Sequence, residues 1–230
     1  MRLDKFIGNN TSLSRTHIHA AMKQGLISVN DQLITATNAR ISESDKVIVD
    51  GQLIQPRLPR YLMLHKPAGY VCANSDSEHP TVLDLVDLPF KHELQIAGRL
   101  DLDTTGLVLL TDDGNWNHKI TSPKRMHTKS YLVTTANAID NTYLAIFAQG
   151  ILLKGETKKT LPAELVILDS HHARLNICEG KYHQVKRMFA ALGNHVLALH
   201  RERIGAINID TLPAGQFRHL NAEEIASFGN

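Results

Sequence analysis

Cysteine is scarce in this sequence: Cys72 and Cys178 are the only two among 230 residues. Two thiols cannot by themselves build a structural zinc site. They can pair with each other or sit as small buried hydrophobes, and in a chain without an export signal the second is expected. No apolar run approaches the roughly 20 residues that cross a bilayer. The start, Met1-Arg2-Leu3-Asp4-Lys5, carries charge but neither an apolar stretch nor a small-residue cleavage site, so it does not read as a signal peptide. A cytoplasmic, membrane-free location is the expectation. Glycine-rich nucleotide loops are missing as well, both Gly-x-Gly-x-x-Gly and the form that ends in Lys-Ser/Thr, and no nucleotide cofactor is expected. The 13 histidines include no pair at zincin spacing, and no metal is expected. Low-complexity segments and internal repeats are absent too.

Hydrophobic residues make up 43% of the chain, enough to bury a sizeable core. Net charge is only +2, but it is unevenly spread: residues 1–60 hold eight Lys/Arg against five Asp/Glu. A mildly basic N-terminal module on a near-neutral body suits a phosphate-contacting attachment, although the same surplus also serves solubility.

Residues 1–56 read as a compact α+β unit. Ser14 is placed to cap a helix from Arg15 to Gln24, which shows Ile18, Ala21 and Met22 on one face and stops at Gly25. Ile27–Val29 runs into Asn30-Asp31 and Val47–Val49 into Asp50-Gly51, both hairpin signals. Two prolines and two arginines in 55–60 oppose regular structure, so residues 57–60 read as a linker. Residues 61–230 then mix longer strands with helices. Tyr61–His65 and Leu107–Leu110 have the look of buried strands, and Ser130–Thr135, Val166–Leu168 and Arg174–Cys178 are rich in strand formers. Helices are expected over Asn141–Gln149 and from near Tyr182 to Gly193, the latter with Val185, Met188, Phe189 and Leu192 as its apolar stripe. Further strands are expected at Val196–Leu199 and Ile204–Ile209. Trp116 reads as a core residue. The fold class is α+β: a small module joined to a larger mixed-sheet domain.

Four strings carry chemistry. The longest is Ala97-Gly98-Arg99-Leu100-Asp101-Leu102-Asp103-Thr104-Thr105-Gly106-Leu107, a glycine-bounded loop with two carboxylates just before a buried strand. Alone, such a pair would serve a turn or a helix cap. The others are His65-Lys66-Pro67-Ala68-Gly69-Tyr70, Lys129-Ser130-Tyr131, and Glu179-Gly180-Lys181-Tyr182-His183-Gln184-Val185-Lys186-Arg187-Met188. In this order the strings resemble those of the pseudouridine synthases, in particular the branch that includes the small-subunit ribosomal RNA enzyme. The N-terminal run, from Arg2-Leu3-Asp4-Lys5 through Ser14-Arg15 to Asp45–Val49, resembles the small RNA-binding module named after small-subunit ribosomal protein four.

The resemblance implies that Asp101 is the catalytic carboxylate, that the Tyr131 ring lies against the target base, and that Lys186 pairs with Asp101. Relatives in other branches place Arg at the position of Lys186, and an ammonium is a point charge rather than a fork. Arg187 is the alternative cation, but the stripe sends the two side chains to opposite sides of the helix. Arg99 is expected to contact substrate, with bracing of the loop as its bland alternative. Leu199 falls where the family packs an apolar residue near the site, while Asp103, Thr104 and Thr105 are expected only to fix the loop. In the N-terminal module Arg2, Lys5, Arg15 and Lys23 are expected to contact phosphates without reading sequence. The reaction implied is isomerisation of one uridine to pseudouridine in 16S ribosomal RNA, free or in an assembling small subunit. It needs no cofactor, since no electrons or groups are imported, and a monomer is the default. The rival readings are the same chemistry on large-subunit or transfer RNA, and a non-catalytic RNA-binding assembly factor.

Overall fold

The computed structural model describes residues 1–42 and 44–229, which fall into two compact units, Met1–Leu58 and Pro59–Asn230. In the first unit, helices α1 (Leu3–Asn10) and α2 (Arg15–Lys23) accompany a four-stranded sheet. Its strands are β1 (Ile27–Val29), β2 (Gln32–Leu33), β3 (Val47–Val49) and β4 (Gln52–Leu53), in the order β2-β1-β3-β4. The Ser14 hydroxyl accepts from the His17 amide and caps α2. Both hairpin turns hold two consecutive residues at positive φ, Asn30-Asp31 and Asp50-Gly51, the mirror-image turn that matches strand twist. The sequence reading assigns no helix before Arg15; α1 forms because Leu3, Phe6 and Ile7 recur on one face and join the buried cluster of Ile18, Met22 and Ile27.

Within this small core Asp4 is a buried carboxylate, 5% exposed. Arg2 donates to it through Nε and Nη2 at 3.0 and 2.8 Å, its neighbour's amide (Lys5) donates at 2.8 Å, and His19 and Arg15 each lie 3.4 Å away. The Arg2 hydrogen bonds hold the Asp4 carboxyl far below the usual carboxylate range, against the opposing effect of burial.

The second unit is built on one nine-stranded mixed sheet. Its strands are β5 (Tyr61–Lys66), β6 (Gln95–Ala97), β7 (Thr105–Thr111), β8 (Lys129–Thr135), β9 (Glu164–Ile167), β10 (His172–Ile177), β11 (Val196–Ile204), β12 (Ile207–Asn208) and β13 (Phe217–His219). The path runs β13-β5-β7-β11-β8-β10-β9, with β6 on β7 and β12 on β11. Every described pairing is antiparallel except β7 with β11. Helices α3 (Gly114–Thr121) and α6 (Ala222–Ala226), and α4 (Thr142–Ala148) and α5 (Gln184–Ala190), complete the unit. Alternate residues of the central strands feed two cores. Leu62, Leu64, Val108 and Leu110 join Phe147, Met188 and Phe189, whereas Met63, Leu107 and Leu109 join Trp116, Ile120 and Phe228. Strands buried on both faces explain the unbroken apolar runs at 61–64 and 107–110.

Besides α1, α3 and α6, which the sequence reading does not assign, two elements differ from the sequence expectation. Helix α5 begins at Gln184 rather than near Tyr182, because His183 adopts a left-handed backbone, φ 46°. The two strands expected between Val196 and Ile209 are a single nine-residue strand that absorbs irregularities at 197 and 202, followed by a short hairpin return.

At the β7–β11 crossing Gly106 faces Arg201. A Cβ on Gly106 would lie 2.6 Å from the Arg201 backbone nitrogen and nearer still to its carbonyl oxygen, and φ is +111°. Only glycine fits there. Gly106→Ala is expected to lower unfolding free energy by at least about 2 kcal/mol, seen as a shifted urea midpoint. For Asp4, whose folded pKa is depressed, the stabilisation is present above the unfolded value of about 3.9 and is lost as pH falls through the lower folded value. Asp4→Asn should therefore reduce the melting temperature of the N-terminal unit at pH 7 and make a shrinking difference below about pH 4. An equal loss at pH 7 and pH 2.5 would contradict that account.

Candidate active site

A cavity of about 350 Å³ opens on the second unit, within the range of small-molecule pockets. Arg99 and Asp101 reach it from the loop between β6 and β7, Tyr131 from β8, Leu199 and Arg201 from β11, and His183 from the entry to α5. The structure thus gathers Arg99, Asp101, Tyr131 and Leu199, which lie up to 100 positions apart in sequence.

Two side chains face the Asp101 carboxylate. His183 Nε2 is 3.2 Å from Oδ1, and Lys186 Nζ is 3.5 Å from Oδ2. Lys186 lies closer still to Asp103, donating to its Oδ1 at 2.6 Å, so one ammonium serves two carboxylates. That hydrogen bond holds the Asp103 carboxyl below its ordinary range. Arg187, the alternative cation, points elsewhere: it pairs with Glu156 at 3.3 Å and donates to the carbonyls of Tyr182 and Lys154. Tyr131 and Leu199 are each 7% exposed and supply an apolar wall. Arg99 is exposed along the rim, with its side chain on the cavity.

The loop that carries Asp101 is held by two buried cations, neither with a carboxylate against it among the described residues. The Lys66 ammonium, fully buried at the end of β5, donates to the carbonyls of Thr104 at 2.7 Å, Pro67 at 3.1 Å and Leu102 at 3.2 Å. Burial pushes its pKa down. The Arg201 guanidinium, 1% exposed, donates to the carbonyls of Gly98 at 2.8 Å, Leu107 at 2.8 Å and Arg99 at 3.4 Å, and to the Tyr131 hydroxyl at 3.4 Å. Both ends of the loop are therefore fixed by charge-assisted bonds to backbone oxygens. Lys129, at the start of β8, adds a third partly buried cation, its pKa lowered first by burial and then by Arg201.

Sequence reasoning assigned no site role to His183, Arg201 or Lys66, and gave Asp103 only a loop-fixing one. Lys66 and His183 stood inside quoted motifs, so a signal was present. Arg201 had none, because its partners lie about 70 to 103 positions away. The other residues expected to contact RNA belong to the first unit. Arg2, Lys5 and Arg15 border a separate hollow of about 380 Å³, and Lys23 is exposed in the last turn of α2. Arg2 is committed to Asp4, whereas Lys5, Arg15 and Lys23 are exposed, Arg15 with Asp4 at 3.4 Å.

If the buried cations hold the loop, Lys66→Met and Arg201→Met each leave carbonyls unpaired. Each should cost about 1–3 kcal/mol of stability and speed amide hydrogen exchange across residues 98–105. Unchanged exchange in both variants would show that the loop is held by something else.

Against known proteins, the model of the family described as RNA pseudouridylate synthase matches residues 60–191. The chain is 49% identical over 230 residues to the ribosomal small subunit pseudouridine synthase A of Pasteurella multocida, covering 99% of each. It is 47% identical over 229 residues to the protein of that name in Escherichia coli strain K12, again covering 99% of both chains. A solved structure, described as the crystal structure of a pseudouridylate synthase, superposes with a TM-score of 0.72 at 46% identity and covers 99% of both chains. With the Asp101 loop and most of the cavity inside the matched region, and full-length likeness to relatives at 47–49% identity, this chain belongs to the RNA pseudouridylate synthase family.

Proposed function

We propose that the protein isomerises one uridine of small-subunit (16S) ribosomal RNA to pseudouridine, with Asp101 acting on the ribose of a flipped-out nucleotide. The observation that carries the reading is the Asp101 carboxylate on the wall of a cavity of about 350 Å³, met by the Lys186 ammonium and the His183 imidazole, with Tyr131 lining the same cavity. The small-subunit target follows the relatives, which are named for it at 45–49% identity over the whole chain.

The reaction breaks the bond from the anomeric carbon to uracil N1, turns the base, forms the bond to C5 and removes the C5 proton. No oxidant or imported group is needed. An ionised carboxylate serves either by attacking the anomeric carbon or by taking the neighbouring ribose proton. Lys186 and His183 each meet one oxygen of the Asp101 carboxylate and so fix its orientation. Tyr131 and Leu199 give the detached uracil a flat, dry surface while it turns. A uridine inside a stem is unreachable at such a site, so the base is extruded from the RNA before reaction. In the first unit Lys5, Arg15 and Lys23, with Arg2 in part, hold the phosphate backbone and set position rather than sequence. Such an enzyme works in the cytoplasm, where ribosomal subunits are assembled.

The test uses ribosomal RNA from cells lacking the protein, complemented with wild type or Asp101→Ala, and maps pseudouridines by carbodiimide modification and primer extension. One stop in 16S RNA should return with wild type and stay absent with the variant. A stop that returns in large-subunit or transfer RNA would move the target, and identical maps in all samples would leave a non-catalytic assembly role.

A further inference from the structure

Tyr182 is 73% exposed. Its ring is not free in solution: it stacks on the His183 imidazole, with centroids 3.8 Å apart and planes 22° from parallel. Successive side chains on a helix point about 100° apart. Here the left-handed backbone of His183 brings the two rings face to face. That conformation is costly for a residue with a Cβ, and the surroundings enforce it. Lys181 and Gln184 close a turn around it through bonds of 2.9 and 3.1 Å, and Arg187 donates to the Tyr182 carbonyl at 3.0 Å. The inner ring of the pair meets the reacting centre, since His183 Nε2 reaches Asp101 at 3.2 Å. Lys181 and His183 both line the cavity, while Tyr182 between them stands outside it with its outer face open.

A side chain this exposed contributes little to the core, and a single exposed tyrosine would need no explanation. A pre-stacked aromatic pair running from the catalytic carboxylate to solvent has a function that packing does not supply. We propose that Tyr182, backed by His183, is the stacking platform for an unpaired base of the substrate RNA next to the reacting uridine. Extruding the uridine leaves its neighbour unstacked, and an aromatic face replaces the lost stacking partner whatever that base is. The ring pair therefore holds the strand at the mouth while the uridine occupies the cavity. Arg99, exposed on the cavity rim, is available to the backbone phosphate. This inference rests on the proposed function, because it takes the RNA substrate from it.

The test follows tritium release from 16S ribosomal RNA transcribed with 5-tritiated uridine, presented both bare and with small-subunit ribosomal proteins. Wild type, Tyr182→Ala, Tyr182→Leu and Tyr182→Phe are compared in steady state and by filter binding. Tyr182→Ala is expected to raise KM and Kd about tenfold with kcat within about twofold of wild type. Tyr182→Phe should restore both constants and Tyr182→Leu should not, since a ring and not apolar bulk is required. Equal melting temperatures confirm that the variants fold. Unchanged KM in Tyr182→Ala, or Leu performing as well as Phe, overturns the platform. So does a fall in kcat alone, which would mean that Tyr182 acts only through His183 on Asp101. Failure of wild type to release tritium from either RNA is a separate outcome, visible without any variant; it removes the proposed function and this inference with it.

Discussion

Two buried cations that bond almost wholly to backbone carbonyls set the path of the loop on which Asp101 sits. Lys66 and Arg201 together take five carbonyls of the segment Gly98–Leu107, and Lys66 takes that of Pro67 as well. A buried charge without a carboxylate partner is expensive unless many oxygens solvate it. The loop supplies those oxygens, so its path is dictated by the need to surround two positive groups. The same arrangement leaves positive charge beneath Asp101 without placing a counter-acid there. Removing the cost of either cation would require replacing the loop, which ties the conformation of the catalytic segment to the strands β5 and β11 that bring Lys66 and Arg201.

Above the loop the electrostatics are of a different kind. Lys186 is shared between Asp101 and Asp103, with the shorter bond to Asp103. Asp103 is mostly exposed, so its hold on the ammonium is softened by water. Lys186 is thus anchored near Asp101 without being spent on it, and His183 holds the other carboxylate oxygen. An arginine fork would grip one carboxylate through both oxygens; here the two oxygens are met by two different groups on one short stretch of backbone. Lys186 shares the Asp101 carboxylate with the His183 imidazole rather than with its neighbour Arg187, which is engaged with Glu156.

Much of this was legible in the sequence, and the exceptions have physical reasons. The Gly-Arg-Leu-Asp string announced the loop, whereas the close backbone approach at Gly106 became apparent only with its partner Arg201. Buried strands at 61–65 and 107–110 were readable because both faces are covered, which leaves no polar alternation to dilute the signal. Helix α1 was missed because charges at Arg2, Asp4 and Lys5 masked the spacing of Leu3, Phe6 and Ile7. Helix α3 was missed because Gly114-Asn115-Trp116-Asn117 has turn composition; Asp113 starts it by accepting from the amides of Asn115 and Trp116. The stacked pair at Tyr182-His183 depends on a single positive φ, which helical periodicity through Val185 and Met188 does not reveal. Arg201 could be found only in three dimensions, since nothing within ten residues of it in sequence needs a buried guanidinium.

The parallel contact between β7 and β11 also sets an order in time. During synthesis, the segment carrying Asp101 emerges roughly a hundred residues before the guanidinium that fixes it, and the long separation makes that closure slow compared with hairpin formation. A nascent or truncated chain that ends before β11 holds the carboxylate, the tyrosine and the first cation, yet its loop carbonyls at Gly98 and Leu107 have no partner. The loop therefore gains the second of its two buried cations only when β11 has been added.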